Sequence, residues 1–113
     1  MKLSDENNIN SNNDLERGIL LEEKPKTKKP SMYNVLLLND DYTTMEFVVE
    51  VLRRFFHKES LVAEAIMLKI HIDGEAVCGT YSYDVAQTKV TQVIDFSRQN
   101  EQPLMCVLRE LIN

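Results

Sequence analysis

The chain has 113 residues, 43% of them apolar, and a formal net charge of −5, which suits one small domain with its own core. Its acidic balance lacks the basic footprint of a nucleic-acid binder. No window reaches the roughly 18 apolar residues of a membrane span, and no apolar segment typical of a signal peptide follows the N-terminus. We therefore expect a cytoplasmic protein.

The first 30 residues differ in composition from the rest of the chain. They are rich in asparagine, carry one brief apolar cluster at Leu15 and 19–21, and end in a basic, proline-punctuated linker at 24–30. Such a segment buries too little apolar surface to offset its ordering entropy. The composition predicts a disordered N-terminal extension over 1–30 and a folded domain over 31–113.

The folded part begins with a strand and a long amphipathic helix. Residues 32–38 end in a continuous apolar run, which favours a β-strand. Residues 44 to about 56 place their apolar side chains three and four positions apart, which predicts a helix with one wide apolar face. Thr43 followed by Glu46 has the spacing of a capping box, so the sequence predicts the helix start there.

The rest of the chain predicts two more helices and two more strands. A second helix is predicted from 61 to about 71 through Ala63, Ala65, Leu68 and Ile70, and it stops at Gly74. A strand over 75–81, a third helix from Ser82 to about 100, and a last strand over 104–111 complete the chain. The pattern predicts an α+β fold of order β-α-α-β-α-β, with three helices packed on one face of a small three-stranded antiparallel sheet.

Asn39, Asp40 and Asp41 lie side by side where the first strand gives way to the first helix. Acids at a helix start complement the partial positive charge of its free N–H groups. Hard cations also bind carboxylates, but the alternating ligand spacing of a calcium loop is absent. We expect no metal and no cofactor.

The sequence contains few of the residue patterns typical of an enzyme active site. His71 has no nucleophile signature near it, and the chain has neither a phosphate loop nor an oxyanion-hole motif, so we expect no enzyme. Cys78 and Cys106 are far apart and lack zinc-ligand spacing. Two reduced, buried thiols are the simplest interpretation.

Three segments nevertheless suggest a binding pocket. Met45 and Val48 lie at the start of the first helix, the end of the second helix carries Met67, Ile70 and His71, and Leu104 begins the last strand. If these surfaces meet, they form an apolar pocket rimmed by acceptors and negative charge. Its natural ligand is a free amino terminus beside a large apolar side chain.

The chain also resembles a known family, the ClpS adaptors of the bacterial N-end rule. The resemblance runs from about Pro30 almost to the C-terminus, with the motifs in order and at consistent spacing. These motifs are Pro30-Ser31-Met32-Tyr33, Asn39-Asp40-Asp41-Tyr42-Thr43, Met45-Glu46-Phe47-Val48, Met67 with His71, Cys78-Gly79, Thr88-Lys89-Val90 and Pro103-Leu104. The resemblance implies a fold similar to the C-terminal domain of a ribosomal stalk protein.

The resemblance also implies a function. Such adaptors bind N-terminal degrons whose first residue is Leu, Phe, Tyr or Trp, and deliver them to the AAA+ unfoldase ClpA of the ClpAP protease. The chain would act as a monomer and bind no nucleic acid or membrane. The alternative is a structural interaction domain of stalk-protein type with no degron pocket.

Carried onto this chain, the resemblance assigns roles to individual residues. Asn39, Asp41 and His71 would hold the α-amino group, and Asp40 would contact the first peptide units. The side-chain pocket would be formed by Thr43, Met45, Val48, Met67, Ile70 and Leu104. Asp84 and Lys89 would dock the N-domain of ClpA. Two departures stand out, since the family commonly has proline at the position of Thr44 and often glutamate at that of Asp84.

Overall fold

The computed structural model describes residues 31–112, so the predicted extension over 1–30 lies outside the described residues. Six elements follow one another in the predicted order. They are β1 (Met32–Leu38), α1 (Met45–Phe56), α2 (Ser60–Asp73), β2 (Glu75–Ser82), α3 (Tyr83–Gln99) and β3 (Met105–Glu110). The α+β class and its element order are confirmed, with boundaries within two residues of those predicted.

The sheet has β1 at its centre, in the order β2-β1-β3, and both neighbours run antiparallel to it. Continuous apolar strands are typical of such central positions, since side chains on both faces lose contact with water. The β1–β2 register shifts between Val35 and Leu36, which pair with Gly79 and Val77 respectively. Cys78 is therefore the extra residue of a β-bulge in β2.

The core lies between the helices and one face of the sheet. Val35 and Leu37 of β1 have no exposed surface and point into this core, whereas Leu36 is buried on the alternate face. The helices contribute the other half of the core. Its buried helical members are Phe47, Val48, Val51, Leu52, Phe56, Ala63, Ile70, Ala86 and Val93.

The start of α1 corrects one prediction. The N-cap is Thr44 rather than Thr43: its backbone is extended, and its hydroxyl accepts a hydrogen bond from the Phe47 amide at 3.1 Å. The Thr43 hydroxyl instead donates to the Asp40 carboxylate within the preceding turn. The capping box of Thr43 with Glu46 is therefore wrong by one residue.

Helix α2 is confirmed, but only part of its apolar set is buried. Ala63 and Ile70 are buried, whereas Ala65 is exposed and Leu68 keeps 49% of its surface exposed. The helix is apolar nearly all round, so its apolar residues do not by themselves show which face is buried. Gly74 ends the helix at φ 92°, in the left-handed conformation that favours glycine.

Helix α3 is fastened to the end of α1 by one long side chain. Lys89 donates from Nζ to the Phe55 carbonyl at 2.7 Å, and its ammonium lies 5.8 Å from the centroid of the Tyr81 ring. The last carbonyls of a helix have no partner within the helix, so a cation there is favourable. Lys89 therefore supplies one of the C-terminal caps of α1.

The two cysteines are free and buried, and they lie in the two strands that flank β1, Cys78 in β2 and Cys106 in β3. Burial raises the pKa of the Cys78 thiol and of the Cys106 thiol to about 12 in each case. Both therefore remain protonated at neutral pH, as expected for thiols that pack as small apolar side chains.

Candidate functional site

The site begins in the loop that joins β1 to α1, where Asp40 organises the turn. Its Oδ1 accepts from the amides of Tyr42 and Thr43, each at 2.8 Å, and its Oδ2 accepts from the Thr43 hydroxyl at 2.6 Å. An aspartate that accepts from residues two and three positions ahead closes an Asx-type turn. The carboxylate thus fixes the backbone that presents Asp41 on one side and Met45 on the other.

The ionisation of Asp40 reflects these contacts. Burial raises the pKa of this carboxyl, but the hydrogen bonds from Thr43 and from the Tyr42 amide outweigh it. The pKa of Asp40 therefore lies below its ordinary value, because each donor stabilises the charged form. The turn is held by a carboxylate at neutral pH.

Two long-range hydrogen bonds anchor this loop to the rest of the domain. The Asn39 amide donates to the Gly74 carbonyl at 2.9 Å, and the Thr44 amide donates to Gln102 Oε1 at 3.2 Å. The first brings the loop to the C-terminal end of α2, where His71 lies. The second joins it to the α3–β3 connection, and it uses an N–H that a proline at position 44 would lack.

Between the loop, the start of α1 and the end of α2 lies a cavity of about 250 Å³. Polar groups surround its mouth and apolar side chains form its inner wall. Its lining residues are Asn39, Asp40, Asp41, Thr43, Met45, Val48, Met67, Ile70 and His71. The structure thus brings together every predicted degron-site residue except Leu104.

Burial within the cavity follows a gradient. Val48 and Ile70 are 7% and 2% exposed and form its floor, Met67 is half-buried, and Met45 at the first position of α1 keeps 46% of its surface exposed. Leu104 is 3% exposed and packs in the main core instead of lining the cavity. It also precedes β3, which begins at Met105, so the predicted strand start is one residue early.

A second, larger groove of about 660 Å³ runs along the outer side of α1 and its connection to α2. Its lining is charged almost throughout, with Val49 as its one apolar residue. Ligand pockets are mostly apolar with a few placed polar groups. The smaller cavity comes nearer to that description, because four apolar residues line it below its polar rim whereas the groove has one, and we take it as the functional site. Among residues 31–112, no cluster of three acids, histidines or cysteines is arranged to hold a metal ion.

The two predicted docking residues lie on α3, away from the cavity. Asp84 is exposed in the first turn, where a negative charge complements the helix dipole. Lys89 is half-buried and engaged with the Phe55 carbonyl, a structural role that its sequence position does not reveal. Gln102 and Gly74 are further site-supporting residues missed from sequence, because their partners lie 58 and 35 positions away.

A family model and several curated relatives match most of this chain. The family model described as "ATP-dependent Clp protease adaptor protein ClpS" matches residues 28–107. The ClpS adapter of Rhodospirillum centenum is 60% identical over 93 residues, covering 82% of this chain and 86% of that protein. ClpS 2 of Bradyrhizobium diazoefficiens is 49% identical over 107 residues, covering 95% and 97%.

A solved structure gives the same result for the fold. Agrobacterium tumefaciens ClpS2 bound to L-phenylalaninamide superposes with a TM-score of 0.72 at 35% identity. The match covers 74% of this chain and all of that one. The three-stranded α+β fold is thus shared with a ClpS2 domain that was solved with a bound ligand.

The chain belongs to the ClpS family of ATP-dependent Clp protease adaptor proteins. Its relatives carry the name adaptor rather than that of an enzyme. Within the part of the chain described here, no helix is both long enough and apolar enough to cross a membrane.

Proposed function

We propose that the cavity binds the free amino terminus of a substrate whose first residue is Leu, Phe, Tyr or Trp. The observation that carries this proposal is the convergence of Asn39, Asp41 and His71 on one rim, above a floor of Val48 and Ile70. A carboxyl group beside amide and imidazole groups suits an ammonium group. An apolar floor directly below suits one large side chain.

The dimensions of the cavity support a ligand of single-residue size. Its volume of about 250 Å³ is below the 300–1,000 Å³ typical of drug-sized ligands. Phenylalaninamide, the ligand of the A. tumefaciens relative, combines a free ammonium with one large apolar side chain. The same chemistry would be recognised here by the rim and the floor respectively.

The expected affinity follows from these contacts. Burying a leucine-sized side chain contributes roughly 1.5–3 kcal/mol, and each hydrogen bond to a charged group contributes about 1.5–3 kcal/mol. Association and ordering offset several kcal/mol of this gain. With three such hydrogen bonds, these terms leave at most about 8 kcal/mol, which corresponds to a dissociation constant of about 1 µM or weaker.

Within this proposal Asp40 has two tasks. Its carboxylate holds the turn through Tyr42 and Thr43, and it contacts the first peptide units from the cavity wall. Met45, half-exposed at the mouth, would limit the shape of the first side chain near its Cβ. The residue then acts as a gatekeeper against β-branched side chains.

Delivery is the second half of the proposal. The bound substrate would pass to the ClpAP protease of the cytoplasm, with Asp84 and Lys89 docking the N-domain of the unfoldase ClpA. Neither docking residue lines the cavity, so both sites can be occupied together. The polar segment over 1–30 would serve delivery rather than degron binding.

The test is a titration of labelled peptides that differ only in their first residue or in acetylation of the amino group. Leu- and Phe-first peptides should bind, and acetylation should abolish binding because it removes the charge and two donors. Asp41→Ala should weaken binding, whereas Asp95→Ala, an exposed acid on α3, serves as the matched control. Equal affinity for free and acetylated peptides would refute the ammonium site and favour a purely structural interaction domain.

A further inference from the structure

Helix α2 has an apolar face that the domain does not use. Its inner face packs on the core through Ala63, Ile66, Met67 and Ile70. A second apolar row points the opposite way, into solvent. Leu61 is 80% exposed, Leu68 49% and Ile72 75%, and Ala65 between them is exposed as well. Contiguous apolar surface of this kind marks an interaction site.

The spacing of the outer row is that of a coiled-coil seam. Leu61, Ala65, Leu68 and Ile72 are separated by four, three and four residues, so they take d, a, d and a positions of a heptad. Leu at d with a β-branched residue at a favours two parallel strands. The row lies about half a turn from the buried face, so a second helix can reach it without disturbing the core.

The charges beside the seam indicate what that second helix is. Glu64 occupies the g position and Lys69 the e position five residues later, one on each side of the seam. In a parallel pair, a g residue of one helix faces the e residue five positions further along the other. Two parallel copies of α2 can therefore form two ion pairs, each between Glu64 of one copy and Lys69 of the other. An antiparallel pair would bring like sides together and lose both contacts.

We propose that two copies of this chain associate through parallel α2 helices, with Leu61, Leu68 and Ile72 in the seam. The monomer expected from the sequence is then one side of an equilibrium. Lys69 exchanges its present partner Asp73, at 2.8 Å within the same helix, for Glu64 of the second copy. The proposal does not depend on degron binding, because no seam residue lines the cavity.

The size of the seam predicts a weak dimer. Fourteen residues span about 21 Å and hold two heptads, which places the interface below the roughly 1,200 Å² of total area of a stable complex. The helices are already folded by the core, so pairing requires no helix nucleation. Association should therefore appear as a concentration-dependent equilibrium.

Sedimentation velocity of the full chain, without peptide, is the first test. The weight-average sedimentation coefficient should rise between about 5 and about 500 µM as expected for a weak interface. Leu68→Gln should weaken association at least tenfold. Val85→Gln, which alters an apolar residue of similar exposure on α3, should leave it unchanged. Circular dichroism and urea unfolding establish that both variants fold. A monomer at every concentration would overturn the proposal.

A charge exchange tests the parallel arrangement itself. Glu64→Lys and Lys69→Glu should each weaken self-association about tenfold, because each places like charges at both contacts. An equimolar mixture of the two variants should associate as well as the wild type, since opposite charges then face each other at both contacts. If the mixture is as weak as either variant alone, the second copy does not pack in parallel at this seam.

Discussion

Replacing Lys89 with Met should destabilise the domain measurably, although the residue lies outside the cavity. Met keeps the apolar stem and has a helix propensity close to that of Lys, so the change removes mainly the ammonium. The Phe55 carbonyl then loses a donor at 2.7 Å, and the C-terminus of α1 loses a nearby cation.

The magnitude follows from these two losses. A hydrogen bond to a charged group contributes about 1.5–3 kcal/mol, and a cation at a helix C-terminus about 0.3–1 kcal/mol. Lys89 is only half-buried, so water can replace part of the lost bond. We expect a net loss of about 1–2 kcal/mol, which for a domain of this size lowers the Tm by about 4–16 °C.

Urea unfolding followed by circular dichroism measures this loss, with Lys69→Met as the matched control. Lys69 also makes a 2.8 Å contact to an acceptor, but its side chain is 61% exposed, and such a pair contributes only about 0.3–0.5 kcal/mol. Equal effects of the two substitutions would refute the capping role of Lys89. The result also bears on docking assays: a Lys89 variant with weakened docking needs its stability measured first, whereas Asp84→Ala tests the proposed surface without removing a cap.

Three further predictions concern the cavity and its surroundings. Met45→Ala should raise the affinity for Ile- and Val-first peptides about tenfold, because it removes a side chain at the cavity mouth. The measurement is a titration of the wild type and the variant with the same peptides. No gain in affinity would mean that Met45 is an ordinary rim residue. Because the pKa of Asp40 is lowered in the folded protein, its carboxylate adds stability above the unfolded pKa, and this contribution is lost as the pH falls through the folded pKa. The difference in unfolding free energy between wild type and Asp40→Asn should therefore shrink from about pH 6 to about pH 3. A constant difference would contradict a turn held by an ionised carboxylate. Deleting residues 2–22 should leave peptide affinity unchanged while degradation of a Leu-first substrate by ClpAP falls, so full-rate degradation would remove the proposed delivery role and lost peptide binding would place the domain boundary elsewhere.

The fold was accessible from sequence because most elements have one clear signal. The apolar run of β1 specifies a strand, and the one-sided periodicity of α1 specifies a helix and its buried face. Helix α2 lacks that signal, since Leu68 and Ile70 are equally apolar and only the position of the sheet decides which is buried. Which face of α2 is buried therefore depends on tertiary packing that local periodicity does not encode.

The site divides in the same way. Local chemistry indicated the polar loop and the apolar wall, and the structure brings nine of their residues together around one cavity. The Asx-type turn of Asp40 was not predicted, although an acid three residues before a threonine is a local pattern. The Gln102 contact to Thr44 was not predicted either, since nothing in either residue's neighbourhood indicates a partner 58 positions away.

The central position of β1 has a mechanical consequence. This strand is the first described element, and it is hydrogen-bonded to a neighbour on each side along its length. A force applied through the residues that precede Ser31 would pull β1 along its own axis, loading both ladders in shear rather than peeling one edge strand away. Many bonds must then break together, so a motor that pulls on the N-terminal segment meets strong resistance at β1. We expect the motor to release the domain before it unfolds it.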